Sequence, residues 1–137
     1  MKMPMTTKLE IATPEEMVFS ADVEMVTLPG VEGQMGVLPQ HVRLMTLLVP
    51  GEMIVRRGGH DEFLAVGEGL VEVTNDRVSI ATNMAVPSDK IDEATAEEAR
   101  QRAADRLKEK LSSEEVASVN ASLTRALAQL RVKRRHH

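Results

Sequence analysis

A chain of 137 residues, 42% hydrophobic and with a net charge of −4, has the material for one modest core and little left for a second. Its lack of cysteine excludes a disulfide framework and thiolate-held metal, and fits a reducing compartment. The charge divides into an acidic body, with 6 Lys/Arg against 12 Asp/Glu up to Val86, and a basic remainder, with 11 against 9 from Pro87 onward. That division excludes nonspecific nucleic-acid binding by the body.

The opening Met1-Lys-Met-Pro-Met is too short and polar for a secretory h-region. No stretch approaches the ~18 consecutive apolar residues of a membrane span. A soluble protein with at most peripheral membrane association is therefore expected. From Lys8 onward, short β-type runs recur about every eight to ten residues, the rhythm of a sandwich or barrel. They are Lys8–Ala12, Met17–Ala21, Val23–Leu28, Gln34–Leu38, Leu44–Val49, Met53–Arg57, Phe63–Val66, Leu70–Thr74, Val78–Ala81 and Met84–Val86. Between them, Pro50-Gly51, Gly58-Gly59 and Asn75-Asp76 supply turns, the last two suited to tight hairpins because these residues tolerate positive φ. Ten such strands bury their inner faces only by stacking two sheets or closing a flattened barrel. Phe19 and Phe63 are the only aromatic residues besides histidine, so Val, Leu, Ile and Met must fill the core.

Composition changes abruptly after Pro87. All eight Gly lie between Gly30 and Gly69 and all nine Met before Ala85, so the last fifty residues hold no Gly, Pro or Met and can run as helix. Ser88, Asp89 or Asp92 can cap a first helix, whose stripe is Ala96, Ala99, Ala103, Leu107 and Leu111. Ser112 and Glu115 then form a capping box for a second, with the stripe Val116, Val119, Leu123, Leu127 and Leu130 and Ala126 alongside. The fold expected is α+β: a ten-stranded flattened β-sandwich or barrel over residues 1–86, followed by an antiparallel two-helix hairpin over 87–137. An alanine-lined first helix gives a weak seam, so the hairpin is expected to dock reversibly.

Catalysis by this chain alone is not expected. The body offers only His41 and His60, neither in a nucleophile elbow, and no phosphate-cradling glycine motif exists. His60-Asp61-Glu62 beside Gly58-Gly59 reads as a hairpin tip, not a metal site, and His136-His137 as a frayed terminus. The segment from Leu28 to His41, with three glycines and two prolines, reads as a compact connection projecting Glu32, Gln34 and His41.

Val23-Glu24-Met25-Val26, the run from Glu32 to His41, Gly69-Leu70-Val71-Glu72-Val73 and Arg125-Ala126-Leu127-Ala128-Gln129-Leu130 together resemble the epsilon-subunit family of F-type ATP synthases. The likeness extends from about Lys8 to Val132, in order. It implies a non-catalytic subunit of the rotary central stalk that helps couple proton passage to ATP synthesis. The implied partners are the gamma subunit, the c-subunit ring and, when the tail extends, the alpha/beta catalytic head, at the cytoplasmic face of the plasma membrane. By the same resemblance Glu32, Gln34 and His41 face the c ring, with Gln34 standing where relatives often carry an acid. The resemblance also implies that Arg125, Arg131, Lys133, Arg134 and Arg135 form a basic tip that inhibits hydrolysis. Some relatives bind ATP in the hairpin; the corresponding positions here are Ile91, Asp92, Arg102 and Arg125. Thr95 and Gln129 stand where those relatives carry arginine, which implies weak or absent nucleotide binding and no obligatory cofactor. The alternative is a free-standing β-sandwich ligand-binding module with a helical dimerisation tail.

Overall fold

The computed structural model describes residues 5–40 and 43–136. Ten strands come first: β1 Thr7–Ala12, β2 Met17–Val23, β3 Met25–Gly30, β4 Gly33–Val37, β5 Leu44–Leu48, β6 Gly51–Arg57, β7 His60–Val66, β8 Gly69–Val73, β9 Arg77–Thr82 and β10 Ala85–Pro87. A 3-10 turn at Ser88–Lys90 leads to α1 (Glu93–Arg106) and α2 (Ser113–Arg135).

The strands pair in the order β10-β7-β6-β3-β5-β8-β9-β1-β2, with β4 added to β3. Between β3 and β5 the ladder narrows to the single pair Gly30–Leu48, and there it folds over into two layers. Every pairing is antiparallel except β1 with β9, which runs parallel from Lys8–Arg77 to Ala12–Ala81. Period-two alternation sends one side of each strand inward. Leu9, Ile11, Val71, Val73, Val78 and Ile80 from one layer meet Val26, Leu28, Met53, Val55, Leu64 and Val66 from the other in one core. No phenylalanine lies at its centre: Phe19 packs at the margin, and Phe63 faces outward beneath the helices.

Turn chemistry follows the residues. Gly58 and Gly59 take φ of 62° and 76°, the two positive values that a two-residue hairpin between Arg57 and His60 demands. The Asn75-Asp76 turn closes differently from expectation, since Gln40 is the only non-glycine residue with positive φ among those described. Instead, the Thr74 N–H donates to the Arg77 carbonyl at 2.8 Å, and the Thr74 hydroxyl to the Asp76 carboxylate at 3.0 Å. The side-chain bond does the work assigned to left-handed backbone.

Both helix starts are capped by side chains. Asp92 accepts from the N–H groups of Ala94 and Thr95; Ser112 and Glu115 complete the reciprocal capping box. The hairpin is antiparallel, with Arg134 bonded to Glu93 at 2.8 Å near one end and Arg106 to Glu115 at 3.4 Å near the other. Ala96, Ala103, Val119, Ala126 and Leu130 are buried as the stripes predict, whereas Val116 and Leu127 remain 37% and 41% exposed. The difference arises because α2 serves two neighbours. A second buried line, Ala128 and Val132, seats α2 on Ala65, Met84 and Ile91, with Phe63 and Val86 at its edge. That seat mixes small side chains with the larger Met84, Ile91 and Phe63.

Candidate functional site

The turn Val31-Glu32 joins β3 to β4, and Gly33, at φ 121°, completes the reversal. Glu32 and Gln34 are both exposed at this tip, so the structure brings these two together; His41 lies outside the described residues. From Leu28 to Val37 the segment is therefore a hairpin, not an irregular connection.

A second exposed feature lies on the outer face of the β5–β8–β9–β1 layer. Leu47 pairs with Leu70, Leu70 with Ala81 and Ala81 with Ala12, so one register row is apolar across four strands. Leu47 is 55% exposed and Leu70 42%, while Met45 extends the patch at 60%. Large apolar groups clustered in water mark a face meant to be covered. Sequence reasoning did not locate this face, although Leu44-Met45-Thr46-Leu47-Leu48 is apolar on both sides of a strand, and that was the available signal.

The third feature is a groove of about 520 Å3 between α1 and α2, closed at one end by Asn83 and Met84. Alanines 96, 99, 103 and 126 with Val119 form its apolar floor, and Arg102, Arg106 and Arg125 supply positive charge. Of the residues matched to a nucleotide site, Arg102 and Arg125 meet here. Thr95 and Gln129, the two positions without arginine, line the same groove. Asp92 is taken up in capping α1, and Ile91 is 4% exposed in the packing beneath α2. Arg125 also reaches Glu68 at 3.2 Å, and that carboxylate accepts from the Asn83 amide as well.

The basic tip is largely exposed, but most of its charges are paired within the chain. Arg134 binds Glu93 and Glu97 of α1, Lys133 donates to the Ser88 carbonyl at 3.2 Å, and Arg135 lies 3.5 Å from Glu52. The Glu93 hydrogen bond, with Glu97 adding to it, raises the Arg134 pKa further, so its charge is permanent. Arg131 is exposed beside Pro50, Thr124 and Leu127. His136, expected to be frayed, is ordered: its ring stacks on Phe63 at 3.6 Å, and Nε2 lies 2.6 Å from Glu52. Phe63 and Glu52 are distant in sequence, so nothing near His136 announced the contact. Among the described residues, no group of three or more His, Asp or Glu can hold a metal, and no helix is long and apolar enough to cross a membrane.

Two family models meet end to end on this chain: the β-sandwich domain of the ATP synthase delta/epsilon chain over residues 6–88, and its long α-helix domain over 89–134. The chain belongs to the ATP synthase delta/epsilon chain family. It is 40% identical over 128 residues to an ATP synthase epsilon chain of Herpetosiphon aurantiacus, covering 93% of this chain and 94% of that one. With an epsilon chain of Dehalococcoides mccartyi it shares 41% over 133 residues, 95% of each. The fold is also similar to a chain in the Euglena gracilis mitochondrial ATP synthase, with TM-score 0.76 and 24% identity over 96% of this chain and 82% of that one. A chain from the central stalk and c ring of the Tetrahymena thermophila mitochondrial enzyme matches with TM-score 0.60 and 14% identity, over 96% and 98%.

Proposed function

We propose that this chain is a non-catalytic subunit of the central stalk of a rotary F-type ATP synthase, where it helps couple proton translocation to ATP synthesis. The observation that carries this reading is the family match running from residue 6 to residue 134. A stiff two-layer sandwich suits a part that transmits torque. The outer row of Leu47, Leu70, Ala81 and Ala12, with Met45, is the face offered to the gamma subunit. The tip carrying Glu32 and Gln34 is offered to the polar loops of the c ring, a contact to which the family resemblance also assigns His41. As a subunit of that complex the chain is a peripheral component, and this reading assigns it to the cytoplasmic face of the plasma membrane.

The helix pair is the regulatory part. Docked, it leaves the catalytic head free; extended along gamma, it brings Arg125, Arg131, Lys133, Arg134 and Arg135 to acidic surfaces of the head and blocks hydrolysis. Nucleotide in the groove is weak or absent, because Thr95 and Gln129 offer no guanidinium and Arg125 already has Glu68 as its anion. Removing residues 88–137 is expected to leave co-purification with gamma intact and to raise ATP hydrolysis by the assembled enzyme. Unchanged hydrolysis removes the inhibitory role, and loss of co-purification in the intact chain removes the stalk role. A free-standing ligand-binding module is not favoured, since it gives no reason for an end-to-end family match.

A further inference from the structure

Glu52 is an acidic side chain on an apolar face. On β6 it points away from the sandwich core, paired across to Ala65 of β7, with Ile54 and Phe63 forming the next pair on the same side. The face is the one that α2 covers, and with the helix in place the Glu52 side chain is only 11% exposed. Both of its ion-pair partners come from the end of α2: Arg135 Nη1 at 3.5 Å and His136 Nε2 at 2.6 Å. His136 is held in turn by its stack on Phe63, with ring planes 7° apart.

We infer that Glu52 is a latch seat, a carboxylate built into β6 to receive Arg135 and His136 and hold the helix pair closed on the sandwich. A carboxylate drawn out of water without a partner is strongly unfavourable, so closure requires a cation or N–H donor at this point. Apolar contact alone brings α2 to the face in any rotation or register; Glu52 selects the one that delivers its basic end. The neutral imidazole can also serve, more weakly than the charged one, because Nε2–H can donate to the carboxylate. Arg135 supplies the permanent charge.

The latch has a consequence for the proposed inhibitory role, on which this step rests. Glu52, Glu68, Glu93, Glu97 and the Ser88 carbonyl answer Arg125, Lys133, Arg134, Arg135 and His136 from within the chain. The contacts of Arg125, Lys133, Arg135 and His136 tie the helices to the sandwich and its 3-10 turn and must be broken before the pair can leave, whereas those of Arg134 lie within the pair. The docked hairpin thus masks the charges that the extended one presents.

Amide hydrogen exchange on the full chain tests the latch without reference to the assembled enzyme. Glu52→Gln is expected to speed exchange over residues 128–135 by about tenfold or more, while amides of β1, β8 and β9 in the far layer keep their rates. His136→Ala, which leaves the Glu52–Arg135 pair in place, is expected to act in the same direction by a smaller factor. His136→Ala should loosen the helix less in the Glu52→Gln background than in the parent, because the Glu52 contact is already gone and only the stack on Phe63 remains to be lost. Parent-like exchange in Glu52→Gln, equal loosening of helices and strands, or additive effects of the two changes overturns the inference. A Glu52→Gln chain too unstable to measure leaves His136→Ala to decide it: parent-like exchange there also overturns the latch. Hydrolysis by the complex is a separate readout, so failure of the inhibitory reading leaves this outcome legible.

Discussion

Arg125 of α2 and Glu68 of the β7–β8 connection meet at 3.2 Å across the boundary between the helix pair and the sandwich. The arginine also lines the groove between the helices, so one guanidinium serves both docking and any anion that enters. At 30% and 44% side-chain exposure the pair contributes about 0.2–1 kcal/mol to docking. Glu68→Ala should loosen the hairpin only slightly, yet raise affinity for ATP at least about threefold by freeing Arg125. Calorimetric titration of parent and variant measures this, and equal affinities would show that Glu68 does not compete with a ligand.

Acid should release the helices before the sandwich. The Thr95 N–H at the helix start holds the Asp92 carboxyl below its ordinary value, the Arg100 guanidinium does so for Glu97, and the Ser112 N–H for Glu115. A carboxylate with a depressed folded-state pKa stabilises above its unfolded value, about 4, and that contribution is lost as pH falls through the lower, folded value. Helical circular dichroism should therefore decline below about pH 4 while amides of β8 and β9 stay protected. Replacing Asp92 and Glu115 by Asn and Gln should flatten the decline. Coincident loss of helix and strand signals would assign acid sensitivity to the whole fold.

Leu47→Lys and Leu70→Lys alter the exposed row without touching the core. Each should change the stability of the isolated chain by no more than about 0.5 kcal/mol, because both side chains already stand in water. In membranes, however, the pair should abolish co-purification with gamma. Retained binding would shift the gamma contact to another face.

The ten strands were legible because alternation and turn residues are local signals, and each observed strand lies within a few residues of its expected run. Asp92 and the Ser112–Glu115 box were legible for the same reason. What lay beyond reach depends on neighbours far along the chain. Ala128 and Val132 do not extend the stripe facing α1, so their burial becomes intelligible only once Ala65 and Met84 lie beneath them. Glu52 and Glu68 look like ordinary surface acids in their own strand and turn; their roles come from α2. The parallel partnership of β1 with β9 joins residues about seventy apart, and no local pattern encodes it.

That parallel ladder governs the order of assembly. The opening strand sits between β2 and β9, so its layer stays incomplete until residue 81 has arrived to meet Ala12. Distant pairing of this kind is slow to nucleate, whereas two capped helices joined by a short link form from nearby contacts and need no such wait. The helix pair can thus form early, and its resting surface on β6 and β7, a local hairpin of residues 51–66, also takes shape without waiting for the chain's two distant parts to meet.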